Sequence, residues 1–155
     1  MATYKIRPAR SSDLDAMVGL LKILFALESD FVFDAALQKK GLRLILALDS
    51  AVVLVAEADG RVVAMSSGQL TVSTAEGGHA LLVEDVVIEP AFQRRGLGKR
   101  LLLGLEKWAA ARGVSRLQLL ADKGNSKALG FYRHQGWSET RLICLRRKLS
   151  PKASL

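Results

Sequence analysis

The chain has 155 residues and a formal net charge of +8, a length that fits one domain. Half of its residues are hydrophobic and a quarter are charged, which affords a core and excludes wholesale disorder. A single cysteine, Cys144, excludes an intrachain disulfide and a multi-cysteine zinc site, and two histidines far apart, His79 and His134, argue against a metal centre.

Tyr4–Arg7 reads as a strand stopped by Pro8. Ser12 as N-cap with Asp15 three residues on opens a helix whose Leu14, Met17, Val18, Leu21 and Leu24 or Phe25 share one face. A second helix is predicted from an Asp34 cap to about Leu48. Val52–Ala58, the Asp59-Gly60 turn and Arg61–Leu70 form a hairpin, because Asp-Gly between apolar runs is a strong hairpin signal. Thr71–His79 is polar, a loop or the end of the strand pair, and Ala80–Ile88 is the next strand. A third helix covers about Gly96–Arg112, with Gly113 suited to its C′ position. Arg116–Ala121 is a short strand, Asn125 caps a short helix ending near Gly136, and Trp137–Lys148 is a last strand. The order is β-α-α-β-β-β-α-β-α-β, an α/β (α+β) class with a mixed, mostly antiparallel sheet flanked by helices. The expected domain is 1–149, with 150–155 a loose tail.

No apolar run approaches the ~20 residues of a membrane span. The longest, Leu42 to Ala58, is broken by Arg43, Asp49, Ser50 and Glu57. The N-terminus has no signal-peptide pattern, so a cytoplasmic protein without membrane association is expected.

The charge is lopsided. Residues 1–77 carry 8 basic and 9 acidic side chains, residues 78–155 carry 15 and 6. The basic half suggests an anionic ligand, and one place stands out to hold it. After the strand ending Val86-Val-Ile88, a short loop leads into a helix that opens with Gly96 and Gly98. Helix starts present unpaired N–H groups and partial positive charge, and glycine lets an anion come close. Arg94, Arg95, Lys99 and Arg100 add side-chain charge. The physical reading is a pyrophosphate site. It is not a P-loop: Gln93 stands where that motif needs glycine, and no Ser or Thr follows Lys99. Leu101 breaks a dinucleotide fingerprint, and hairpins precede the turn where that fold needs a parallel start.

Gln93-Arg-Arg-Gly-Leu-Gly98 resembles the Gln/Arg-x-x-Gly-x-Gly/Ala motif of the GNAT superfamily of N-acetyltransferases. Asn125-Ser-Lys-Ala-Leu-Gly-Phe-Tyr-Arg-His-Gln-Gly-Trp137 resembles that family's second signature. The predicted element order resembles the family's over nearly the whole chain.

The resemblance implies an acetyl-CoA-dependent transfer of an acetyl group to a primary amine within a ternary complex. The turn formed by Gln93, Arg94, Arg95, Gly96, Leu97, Gly98 and Lys99 would grip the pyrophosphate of acetyl-CoA. The rim of Val86, Val87 and Ile88 would pair with the pantetheine arm where the Ala80–Ile88 and Arg116–Ala121 strands splay, and Asn125 would touch that arm as well as cap its helix. A backbone N–H near Val86–Val87 would stabilise the oxyanion.

Tyr132 matches the tyrosine that faces the CoA sulfur in this family and is the expected proton donor; the alternative is a tyrosine that merely packs. Glu84 and Asp85 are the candidates for the base. Adjacent residues on a strand point to opposite faces, so Glu84 is expected to share a face with Val86 and Ile88, and Asp85 with Val87. The ordinary alternative for each is an ion pair with a nearby arginine. His134 reads as a surface or capping residue, and Phe131 and Trp137 as core. The resemblance implies that the first two helices, their connection and the strand loops set acceptor choice; here the connection is Glu28-Ser-Asp-Phe-Val-Phe-Asp34, whose acids and rings suit a cationic amine, the alternative being a solvated connector whose phenylalanines staple the helices.

Two other functions remain open at this point, a non-catalytic CoA-binding sensor and a nucleic-acid-binding domain. The second lacks interleaved aromatics and a recognition helix. The partners expected are acetyl-CoA and an amine acceptor, with a homodimer through Leu142–Leu149 as one option.

Overall fold

A computed structural model describes residues 2–150. The chain divides into two compact units, Met1–Leu119 and Leu120–Leu155. The first holds β1 (Tyr4–Pro8), α1 (Leu14–Leu27), α2 (Ala35–Leu46), β2 (Ala51–Ala58), β3 (Arg61–Ser73), β4 (Gly78–Ile88), α3 (Leu97–Ala110) and β5 (Leu117–Leu119); the second holds α4 (Ser126–His134). The strands lie in chain order, β1-β2-β3-β4-β5; the first four are antiparallel and β5 runs parallel to β4. The expected class, a mixed and mostly antiparallel sheet flanked by helices, is the one observed.

Local chemistry sets most of the boundaries. The β2–β3 hairpin turns on Asp59 and Gly60, both at positive φ (50° and 80°), the geometry of the two-residue turn that Asp-Gly favours. The Asp34 carboxylate caps α2, accepting from Ala36 N–H at 3.0 Å and Leu37 N–H at 3.3 Å. The start of α1 differs from expectation. Asp13, not Ser12, is its N-cap residue, at the end of a 3-10 turn over Ser11–Asp13, and the Asp13 carboxylate accepts from Arg10 N–H at 2.7 Å. Arg7 draws Asp13 into that position with two hydrogen bonds, 2.8 and 3.0 Å, and binds Glu57 at 2.8 Å. A cation on the neighbouring strand has chosen which acid closes the helix.

The sheet packs on both faces. Leu14, Met17, Leu20 and Leu21 of α1 and Leu42 of α2 meet Val53, Val55, Met65 and Val87 in one core cluster. On the other face α3 buries Leu97, Leu101, Leu102 and Leu105. It lies so close that a Cβ on Gly104 would come within 2.7 Å of Leu54 Cδ1. The hairpin strands run further than the pattern suggests: the stretch 71–79 is mostly strand, with β3 reaching Ser73 and β4 starting at Gly78.

The strand predicted over Trp137–Lys148 is not formed; those residues belong to no helix or strand. Leu142, Ile143, Leu145 and Leu149 are each at least 80% exposed. Alternating apolar residues supply strand propensity, but a strand exists only where a partner takes its hydrogen bonds. The tail expected over 150–155 lies outside the described residues apart from Ser150. No helix among the described residues is long and apolar enough to cross a membrane.

Candidate functional site

The β4–turn–α3 passage carries the expected phosphate-binding residues. The last residue of β4, Ile88, accepts through its carbonyl from Gln93 Nε2 at 3.2 Å, which ties the turn to the strand end. The chain reverses through two left-handed residues, Arg94 (φ 62°) and Gly96 (φ 78°). Gly96 is the N-cap of α3 with no side chain to satisfy the helix amides. The helical ladder begins with Arg100 N–H donating to Gly96 O at 3.1 Å, so Leu97, Gly98 and Lys99 keep amides with no intrahelical acceptor. The four cations of the turn separate into two pairs. Arg95 donates to the Tyr4 hydroxyl at 2.9 Å and lies over the Phe92 ring, and Arg100 donates to Tyr4 O at 3.0 Å. Arg94 and Lys99 have no ion pair or side-chain hydrogen bond among the described residues.

Beside the turn, β4 has an open edge. Its pairing with β5 covers only Leu81, Leu82 and Val83, opposite Leu117, Gln118 and Leu119. From Glu84 to Ile88 the strand keeps β3 on one side and no strand on the other among the described residues. Val86, Val87 and Ile88 thus line an edge whose backbone groups can meet an extended ligand, and that edge leads directly into the amides of α3.

The expected alternation at Glu84 and Asp85 is corrected by a bulge. Ser67 pairs with Glu84 and Met65 with Val87, so Asp85 and Val86 together face the single residue Ser66. Asp85 sits at φ 53° to make this step. Glu84 therefore shares its face with Val87, across from Ser67 and Met65, and not with Val86 and Ile88. Asp85 turns toward the same side, where the groups acting on its carboxylate are Glu84, Glu28 at the end of α1 and the Ser67 hydroxyl. None of them is an arginine, so the ordinary ion-pair reading of Asp85 does not hold. Burial first, and then Glu84 and Glu28, push the Asp85 carboxyl up from 3.8 to about 6.

Ser67 and Glu28 were not singled out from the sequence. The signal for Ser67 was the pair Ser66-Ser67 interrupting an otherwise apolar strand. For Glu28 there was only its place in the acidic stretch after α1. Phe31 of that stretch meets Phe25 of α1, with ring centroids 5.7 Å apart and planes tilted by 37°.

In the second unit Asn125 caps α4 as expected, its side chain accepting from Ala128 N–H at 3.0 Å. Tyr132 lies on α4 with its ring 5.2 Å from Phe131 and 5.9 Å from Trp137, centroid to centroid. Trp137 N–H donates to Tyr132 O at 3.0 Å, so the turn after α4 folds back on the tyrosine. His134 is the last residue of that helix.

The model of the acetyltransferase (GNAT) family matches residues 21–137. A stretch of 59 residues is 46% identical to N-alpha-acetyltransferase 80 of Mus musculus. That stretch is 38% of this chain, and it spans only 18% of the mouse protein's length. Among solved structures, the aminoglycoside N-acetyltransferase AAC(6')-Iy in complex with CoA superimposes with a TM-score of 0.84 at 20% identity, covering 96% of each chain. Glucosamine-6-phosphate N-acetyltransferase from Arabidopsis thaliana superimposes with a TM-score of 0.72 at 23% identity, covering 94% of this chain and 98% of its own. With the family match spanning most of its length and both signature stretches inside it, the chain belongs to the acetyltransferase (GNAT) family.

Proposed function

We propose that this chain is an acetyl-CoA-dependent N-acetyltransferase acting on a cationic primary amine, with 1–149 as its catalytic domain. One observation carries the reading: the unpaired edge of β4 runs into a helix start whose amides have no intrahelical partner. An extended thioester arm bearing a pyrophosphate has the two chemistries that this edge and this turn would satisfy. The amides of Leu97, Gly98 and Lys99, with Arg94 and Lys99 as cations, would take the diphosphate; Val86–Ile88 would take the arm.

The residues then divide the work. Asp85, raised to about 6, is still mostly ionised at neutral pH and accepts the proton of the incoming ammonium. Glu84 and Glu28 attract that cation to the same place. The N–H groups at Val86–Val87 receive the charge that develops on the carbonyl oxygen when the neutral amine attacks. Tyr132 gives a proton to the departing sulfur and is reprotonated by the second proton that leaves the nitrogen as the amide forms. The products are an amide and free CoA. Phe25 and Phe31 add aromatic surface for the stem of an amine. A homodimer through 142–149 and a cytoplasmic location complete the proposal; the exposed apolar residues of that segment support the first.

The test is an acceptor screen that follows free thiol released from acetyl-CoA. Di- and polyamines and amino sugars should release thiol faster than neutral or acidic amines. Retention on immobilised CoA with no thiol release from any amine would replace the enzyme with a binding protein.

A further inference from the structure

The amides at the start of α3 lie between two side chains that end on one residue far away in the sequence. Arg95 stands just before the capping Gly96, and Arg100 is the residue whose N–H opens the helical ladder. Leu97, Gly98 and Lys99 fall between them. Arg95 Nη1 donates to the Tyr4 hydroxyl at 2.9 Å, and Arg100 Nη2 donates to the Tyr4 carbonyl oxygen at 3.0 Å. The Tyr4 ring meets Phe92 edge-on, with centroids 6.4 Å apart, and the Arg95 guanidinium lies 5.4 Å from the centre of the same Phe92 ring. Phe92 ends the short 3-10 turn, Pro90–Phe92, that follows β4. Tyr4 itself is the first residue of β1, half-buried and paired with Ala58 of β2. It therefore ties the turn to the sheet at three points, before, within and after its two left-handed residues.

We propose that Tyr4 is a positioning residue for this turn: its hydroxyl and its carbonyl hold the two arginines that bracket the amides of Leu97, Gly98 and Lys99, and so keep those amides aimed before a ligand arrives. The inference rests on the turn taking the diphosphate of acetyl-CoA. The turn needs such a hold. Arg94, at φ 62°, is in a left-handed conformation that a residue with a side chain adopts only at a cost. Gly96, at φ 78°, has no side chain with which to fix its own geometry. Amides already in place spare the binding step the cost of ordering them. The same two bonds sort the cations. Arg95 and Arg100 are turned to β1, which leaves Arg94 and Lys99 as the charges for the diphosphate. Arg95 thus acts through Tyr4 on the shape of the turn and does not touch phosphate.

The experiment is calorimetry of CoA binding to the full chain, alongside kcat/KM for two acyl donors. The donors are acetyl-CoA and acetylpantetheine, which has the thioester arm and no diphosphate. Tyr4→Phe keeps the ring and the carbonyl and removes one hydroxyl outside the core, so the fold is retained. It should weaken CoA binding roughly two- to ten-fold, the share of one net hydrogen bond. With acetyl-CoA, kcat/KM should fall by the same factor while kcat at saturation holds; with acetylpantetheine, kcat/KM should not change. Arg95→Met should match Tyr4→Phe in each readout. The double variant should be no weaker than either single one, because both remove the same bond. If Tyr4→Phe binds CoA as tightly as the wild type, or more tightly because a released Arg95 reaches the phosphates, the positioning role is overturned and the diphosphate site stands. An equal loss with acetylpantetheine also overturns it, since the tyrosine would then support the fold at large. A wild-type chain that does not bind CoA overturns the diphosphate reading itself, and this role with it, whatever Tyr4→Phe does.

Discussion

Two clusters of ionisable side chains in the Met1–Leu119 unit are built on opposite terms. Around Arg7, one guanidinium holds Asp13 with two hydrogen bonds and Glu57 with a third, and the arginine side chain is only 10% exposed. Around Asp85, the neighbours are two more carboxylates and a hydroxyl. The same residue type is pulled in opposite directions: Arg7 lowers Asp13 below the ordinary aspartate value, while burial beside Glu84 and Glu28 raises Asp85. The first arrangement is complete without a ligand. The second gathers acidic groups beside an open strand edge, where burial and neighbouring carboxylates raise the titration of Asp85. The contrast separates an acid that holds the fold from one available for chemistry.

The most severe break of that contrast is on the Asp85 side. Asp85→Asn should lower kcat/KM for the amine by roughly 10²–10⁴, the usual range for a general base, with KM for acetyl-CoA little changed; steady-state kinetics reads it. On the other side, Arg7→Met leaves the buried Asp13 without its cation and should cost roughly 3–5 kcal/mol of stability, the range for breaking a buried pair. Denaturant unfolding measures this, and turnover per folded molecule should stay the same.

Tyr132→Phe tests the second unit and should reduce kcat by roughly ten-fold or more, a lower share of general-acid catalysis, without weakening CoA binding. The smallest effect is in the pH dependence of stability, where the two acids act with opposite sign. Asp85 is raised, so its favourable contribution is complete below its unfolded value near 4 and fades as pH climbs through about 6. Asp13 is lowered, so its contribution is complete above the same unfolded value and fades as pH falls further. Unfolding midpoints should therefore show an Asp85-dependent gain on acidification from 7 to 5, absent in Asp85→Asn, and an Asp13-dependent loss below 4.

How much of this was legible before folding varies by element. The Asp34 and Asn125 caps, the Asp59-Gly60 turn and the glycine turn before α3 could all be read directly, because each is a short-range contract between a side chain or a glycine and the backbone within four residues. The N-cap of α1 was misread by one residue because Arg7, a residue from the strand before it, outweighed the local Ser12 pattern. The bulge was not visible, since Glu84-Asp85 reads as ordinary strand until β3 is laid beside it. The two arginines that turn to Tyr4 could not be told from Arg94 and Lys99, as all four sit in one run of the chain.

By itself the sequence determined the helices and strands up to α4, the glycine turn before α3 and the family, all of which depend on neighbours a few residues apart. The tertiary structure decided the facing of Glu84 and Asp85, the company Asp85 keeps, and the absence of a strand over Trp137–Lys148. Each of these depends on what another segment of chain brings to the same place: a register, a charge, or a row of hydrogen-bonding groups. Periodicity and propensity within one segment carry no record of that partner.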